Sequence, residues 1–283
     1  MYLLLGASGM LGASFMEEFS RYGSPKLLTP SHAELDITNS ESVSKYFAAH
    51  RPTIVINCAA AKNVDWCESH PQEAFRQNAH SVGLVASAAR MNRASFYHIS
   101  TEYVFDGTKD SLYTEIDETN PINVYGASKL FGEKNALKYG GTVFRVQWLY
   151  GPTKSNFIQW IASVVRSDMR ASITNAQVGC AMSTSWVAHV VLLSIVKQVV
   201  PAVYHVAHDD FCSRLEVAEY VCAYFGRDLD DHFDVVSDTN FGVAKRPVNS
   251  RMSNAKLRAA LNITTLGTWQ EDLNYYLSKV YPK

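Results

Sequence analysis

Tyr125 and Lys129 stand four residues apart in Tyr125-Gly126-Ala127-Ser128-Lys129, so a helix there presents both on one face, a turn apart. A free phenol has a pKa of about 10 and is a poor acid–base group at neutral pH. A neighbouring ammonium stabilises the phenolate and moves that value toward the working range. By itself the spacing is common and usually marks a helix surface. It gains weight from a hydroxyl upstream: Ser100 and Thr101 follow the apolar run Ser95–Ile99. Open α/β sheets hold their ligands outside the carboxyl ends of such strands. Either hydroxyl could bond a carbonyl beside Tyr125; bonding to local backbone is the plainer alternative.

A second chemical feature is Gly6-Ala7-Ser8-Gly9-Met10-Leu11-Gly12, directly after the apolar run Tyr2–Leu5 and opening a helix. Glycines let a backbone turn tightly and approach a pyrophosphate, while the helix N-terminus offers unpaired N–H groups to the anion. Placed after a first strand, the pattern predicts a dinucleotide site. An acidic residue at the end of the second strand would favour NAD through the ribose hydroxyl. Thr29-Pro30-Ser31-His32 has no carboxylate, and no arginine for a 2′-phosphate either, so NADPH or NADH is expected, with NADPH slightly favoured. Asp36 of Leu35-Asp36-Ile37-Thr38 reaches the adenine amino group, or else Asp36 or Thr38 caps the next helix.

These groups need elements to position them. Apolar runs at Tyr2–Leu5, Lys26–Leu28, Thr53–Ile56, Ser95–Ile99 and Thr142–Val146 predict strands. Helices are predicted between them at Met10–Tyr22, Ser40–Ala49, Pro71–Met91 and Tyr125–Tyr139. The alternation implies βαβ units and an α/β fold, a Rossmann-type doubly wound parallel sheet. After Tyr150-Gly151-Pro152 helical pieces dominate, with Ala202–Val206 the clearest strand. The expected division is a dinucleotide-binding domain over 1–151, rejoined by about 176–206. A smaller, mainly helical substrate lobe covers 152–175 and 207–283.

Composition narrows the classes. With 26 Lys+Arg against 27 Asp+Glu the net charge is -1, which gives no basic excess for nucleic-acid binding. Hydrophobic residues make up 47% and charged residues 19%, an ordinary globular balance. Five cysteines without a C-x-x-C pair argue against a disulfide framework or structural zinc. No apolar run is long enough for a membrane helix, and the N-terminus lacks a basic leader, so a cytoplasmic protein is expected. His205 and His208 lie three apart on a predicted strand and would diverge, so no metal site is expected.

Together Gly6–Gly12, Asn57-Cys58-Ala59-Ala60-Ala61, Ser100–Gly107 and Tyr125–Lys129 resemble an extended short-chain dehydrogenase/reductase. Further segments narrow the resemblance to the dTDP-4-dehydrorhamnose reductase family. Among them are Leu35–Thr38, Gln77-Asn78-Ala79, Trp148-Leu149-Tyr150-Gly151, Asn156-Phe157 and Arg246–Arg251. The resemblance implies reduction, with NADPH or NADH, of the C4 keto group of a nucleotide-linked 4-keto-6-deoxy sugar in deoxysugar biosynthesis. By it Thr101, Tyr125 and Lys129 form the catalytic triad, and Gly6, Ser8, Gly9, Met10, Leu11 and Gly12 take the pyrophosphate. It sets Asp36 and Ile37 at the adenine, Ala59, Ala60 and Ala61 on the ribose side, and Glu102 and Trp148 at the sugar. Asn156 and Arg246 fall in the lobe holding the nucleotide diphosphate. The implied partner is a nucleotide-diphosphate sugar, with a homodimer among the allowed assemblies.

This chain departs from that pattern in places. Glu102 stands where the family usually has Asp, and Asn175–Ser183 lacks the family's proline. Lys62, Asn63 and the Trp66-Cys67 pair are unusual near the expected sugar pocket. Two rival functions share the scaffold. A nucleotide-sugar epimerase or dehydratase is one, although a dehydratase would carry an Asp-Glu pair where Glu102-Tyr103 stands. A non-catalytic NAD(P)-binding regulatory subunit is the other, and an intact Thr101, Tyr125 and Lys129 speak against it.

Overall fold

The computed structural model describes residues 1–282 except 22, 24, 25, 154, 168 and 238–241. Its first half alternates strand and helix: β1 (Tyr2–Leu5), α1 (Met10–Arg21), β2 (Leu27–Leu28), α2 (Ser40–His50) and β3 (Ile54–Asn57). Tyr22, the expected end of the first helix, lies outside the described residues. Next come α3 (Val64–Ser69), α4 (Pro71–Phe75), a π-helical turn at Arg76–His80, α5 (Ser81–Met91), β4 (Ser95–Thr101), α6 (Val124–Lys138) and β5 (Thr142–Val146).

The second half holds β6 (Leu149–Tyr150), α7 (Phe157–Val165), β7 (Ala171–Thr174), β8 (Val178–Gly179), β9 (Met182–Ser183) and α8 (Thr184–Val196). It closes with β10 (Val203–His205), β11 (Cys212–Ser213), α9 (Arg214–Tyr224), β12 (Phe233–Val236), α10 (Ala255–Leu261) and α11 (Trp269–Val280).

Six strands form one sheet in the order β2-β1-β3-β4-β5-β10, every neighbouring pair parallel. The expected doubly wound α/β fold is therefore what the chain adopts. Period-two alternation divides each strand between two helical layers. Leu4, Ile56 and Phe144 pack with Phe15 of α1 and Val187 of α8. Leu3, Leu5 and Val55 pack on the opposite face with Phe47 of α2 and Val85 of α5. Strand order reverses at β1, flanked by β2 and β3, so the crevice at their carboxyl ends opens where such sheets bind ligands.

One expectation holds with a modification and one needs correction. Pro71–Met91 is helical from end to end, but a π turn at Arg76–His80 interrupts its α geometry. The interruption serves Asn78, whose amide pairs with both the N–H and the carbonyl of Ala61, at 2.8 and 2.9 Å, and donates to Ser128 Oγ at 3.0 Å. Neither Asp36 nor Thr38 caps α2; Asn39 does, accepting from the Ser42 N–H at 3.0 Å. The later segments also contain strand pairs too short to leave a periodic signal: parallel β7–β12 and β6–β9, and antiparallel β8–β11.

Candidate active site

The glycine turn is shaped by how closely the backbone packs on itself. Gly6 has φ +78°, and a Cβ there would lie 2.8 Å from the Ala59 nitrogen. A Cβ on Gly12 would sit 2.1 Å from the Gly6 carbonyl oxygen, so α1 can start only with glycine at that place. Gly9 differs: its Cβ would meet nothing closer than the Gly6 oxygen at 3.1 Å. The first-turn amides of α1 have no carbonyl four residues back within the helix. Gly6, Ser8, Gly9, Met10, Leu11 and Gly12 all border a cleft of about 740 Å³. The Gly9 N–H is held by the Gly6 carbonyl at 2.9 Å, and this cradle of glycines at the start of α1 fits a dinucleotide pyrophosphate.

Helix α6 brings the acid–base pair to the same cleft. Its N-terminus is fixed from three sides. Asn123 caps it by accepting from the Gly126 N–H at 2.7 Å, worth about 1 kcal/mol. The Val124 N–H donates to Glu68 of α3 at 2.9 Å, and Asn123 donates to the Lys245 carbonyl at 2.8 Å. Gly126 lets the helix approach the Tyr103 carbonyl, which a Cβ would meet at 2.1 Å.

Further along, Tyr125, Lys129 and Glu133 share one helix face. Glu133 is buried and grips Arg145 of β5 with both oxygens, at 2.9 and 2.7 Å. It also accepts from Ser100 Oγ at 2.6 Å. Ser100 is thereby turned to the helix, leaving Thr101 as the strand-end hydroxyl beside Tyr125. That hydroxyl donates to Glu102 Oε2 at 2.7 Å and accepts from the Tyr103 N–H at 3.2 Å.

Electrostatics follow from burial. Burial, then the charge of Glu102, pushes the Tyr125 phenol up from its ordinary value, while a hydrogen bond with Thr101 pulls the other way. The Lys129 ammonium donates to the Ile99 carbonyl at 2.6 Å and lies 3.3 Å from His98 Nε2. Burial brings Lys129 down to about 8 against the opposing charge of Glu133. Burial sets the direction for Tyr125 in this geometry, and the phenol holds its proton. Glu102, buried, is pushed up to about 7, with Thr101 and Arg214 opposing.

Thr101, Glu102, Tyr125, Lys129, Trp148, Ile37, Ala59 and Ala60 all line the cleft together with the glycine turn. Other expected residues are occupied elsewhere. Ala61 is bonded to Asn78, and Asp36 accepts from the Thr38 N–H and hydroxyl at 2.9 and 2.7 Å. Asn156 caps α7 and donates to the Gly151 carbonyl at 2.7 Å. Arg246 pairs with Asp65 at 2.8 Å, clipping its loop onto α3. His205 and His208 do diverge, the first to Arg145 and the second to Asp272 and the Leu266 carbonyl.

Trp148 has φ +40°, a left-handed conformation that costs a bulky residue energy and is a mark of functional sites. Gly179 leaves room for its indole, which a Cβ would meet at 2.7 Å. Sequence reasoning missed Gln147, which lines the cleft, and Arg214, which stacks on the Trp148 ring. Arg214 carried one signal: a cation in the first turn of a helix opposes the helix dipole.

Comparison with known proteins agrees over almost the whole length. The family model described as the RmlD substrate binding domain matches residues 1–281. A dTDP-4-dehydrorhamnose reductase from Mycolicibacterium smegmatis is 31% identical over 275 residues, 96% of this chain and 83% of that protein. The crystal structure of a dTDP-4-dehydrorhamnose reductase from Clostridium acetobutylicum has a TM-score of 0.91 and 31% identity, covering 99% of both chains. That of the dTDP-4-dehydrorhamnose reductase from Bacillus anthracis, in complex with NADP, has a TM-score of 0.91 and 29% identity, covering 98% of both.

Proposed function

We propose, since this chain belongs to the RmlD substrate binding domain family, that it uses NADPH to reduce the C4 keto group of a nucleotide-linked 4-keto-6-deoxy sugar in deoxysugar biosynthesis. The observation that carries the reading is convergence. A glycine turn open to a pyrophosphate, the Thr101–Tyr125–Lys129 set, and Glu102 with Trp148 all border one cleft. The NADP in the Bacillus anthracis relative supports the choice of cofactor.

When bound, the nicotinamide supplies hydride to the carbonyl carbon. Tyr125 gives its phenolic proton to the carbonyl oxygen, and its raised pKa keeps that proton in place until it is needed. Thr101 orients the carbonyl, and Lys129 holds the ribose. Glu102 and Trp148 seat the sugar ring. The lobe comprising 152–175 and 207–283 holds the nucleotide; Asn156, which caps α7, and Arg246, which pairs with Asp65, belong to it. Cytoplasmic action suits the reading, as no helix among the described residues is long and apolar enough to cross a membrane.

The test is NADPH oxidation with dTDP-4-dehydrorhamnose and with its UDP and GDP counterparts. Turnover on one of them is the expected result; no oxidation with any would overturn the reading.

A further inference from the structure

One guanidinium, set against the cleft residue Trp148, is matched by no ion pair among the described residues. Arg214 is the first residue of α9, and its guanidinium carbon lies 3.7 Å from the Trp148 ring centroid and 4.5 Å from that of Phe157. Among the described residues it has no ion pair and no side-chain hydrogen bond. Its placement is costly on several counts. The helix N-terminus repels a cation, and burial works against the charge. Arg246 also lies near enough for the two like charges to oppose each other. Yet Arg246 is matched by Asp65, and Arg214 is not. Both guanidiniums act on the Tyr103 phenol, and Arg214 acts on Glu102 as well, which places it beside the sugar contacts.

A second orphan donor lies close by. Gln147, 1% exposed, uses its Oε1 to accept from the Cys180 N–H at 2.9 Å. Its Nε2 is buried without a partner, and the residue lines the cleft next to Trp148. An unpaired guanidinium and an unpaired amide beside one indole describe a place for an oxygen-rich anion.

We infer that Arg214 binds the sugar-linked phosphate of the nucleotide-sugar substrate, with the Gln147 amide as a further donor. The identity of that anion rests on the reductase reading above. The 4-keto-6-deoxy sugar carries no charge, so its nearest anion is the phosphate at C1, across the ring from the carbonyl at Tyr125. The flat guanidinium, stacked on two aromatic rings, keeps its edge N–H groups free for phosphate oxygens.

The experiment uses the full chain and two substitutions, Arg214→Gln and Arg214→Lys, titrated with dTDP, with thymidine and with NADPH. Arg214→Gln should weaken dTDP about ten- to a hundredfold, the range for losing a charge-assisted contact. Thymidine and NADPH affinities should not move, which also shows that the variant is folded. Arg214→Lys should recover part of the loss, and KM for the sugar nucleotide should rise in Arg214→Gln with kcat nearly kept. Unchanged dTDP affinity in Arg214→Gln, with a wild type that turns over the keto sugar, would overturn the assignment and leave the reductase standing. Arg214-dependent dTDP binding by a wild type inactive on every keto sugar would keep the phosphate site and remove the reductase. A wild type that binds none of dTDP, UDP and GDP would overturn the assignment of Arg214.

Discussion

His98 stands behind Lys129, its Nε2 3.3 Å from the ammonium, and neither side chain is exposed. Burial, then the lysine charge, pushes the imidazole well below its ordinary range, so His98 faces Lys129 uncharged. The ammonium itself titrates at about 8. We expect kcat/KM to fall as pH rises through about 8, because the neutral amine loses its hold on the ribose. Unfolding would not explain that fall. Lys129 has a folded pKa below its unfolded value of 10.5, so between about 8 and 10.5 the folded state binds fewer protons. Stability from this group therefore rises with pH over the same window. A pH–rate profile beside a pH–stability profile separates the two, and Lys129→Met should abolish the alkaline limb while weakening NADPH binding.

Tyr125→Phe keeps the ring and its edge contact with Tyr103, whose centroid is 5.5 Å away, but removes the proton. Turnover should drop by a factor on the order of 10² to 10⁴ with cofactor affinity nearly unchanged. Stopped-flow NADPH oxidation and a cofactor titration check both halves. Full activity would exclude Tyr125 as the acid.

Gly9 and Gly12 should separate binding from folding. Gly9→Val puts a branched side chain into the turn, its Cβ 3.1 Å from the Gly6 oxygen, a far milder clash than at Gly12, so NADPH affinity should fall by tenfold or more, on the order of 1.4 kcal/mol. Gly12→Ala forces a Cβ against the Gly6 oxygen and should lower the melting temperature whether or not cofactor is present. Calorimetry with and without NADPH distinguishes the two patterns.

Glu102 is the opposite case to Lys129. Its folded pKa of about 7 exceeds the ordinary carboxylate value of 4.5, so between them the folded state binds more protons and stability falls as pH rises. Glu102→Gln removes that burden. The variant should be more stable than wild type at pH above about 7, by roughly 2–3 kcal/mol at most. At about pH 4.5 the advantage should vanish, and sugar-nucleotide KM should worsen. Denaturant melts at the two pH values decide it; an equal difference at both would show that Glu102 is not the titrating group.

The strands and most helices were legible because apolar runs and helix-length segments alternate cleanly from Tyr2 to Val146. The glycine turn and the Tyr125–Lys129 pair were legible because each works within a few residues. What stayed hidden depends on contacts far along the chain. The π turn exists for Asn78 to hold Ala61 and Ser128, which no local pattern records. Asn156, which the resemblance sets in the nucleotide-holding lobe, also caps α7, a local role the same residue type serves. Gln147 carries no local pattern and Arg214 only its place at a helix start; it is the fold that brings both to Trp148.

The order of strands along the chain also governs how the molecule is made. β10 pairs with β5 only after β6–β9, α7 and α8 have been synthesised, and Arg145 on β5 waits for His205 until then. Until that moment β5 has no outer neighbour, and its edge is open. Such an edge recruits other chains as readily as its own missing strand. A gene fragment ending at residue 151, cut to yield a free-standing cofactor module, should therefore aggregate in a light-scattering measurement where the full chain does not.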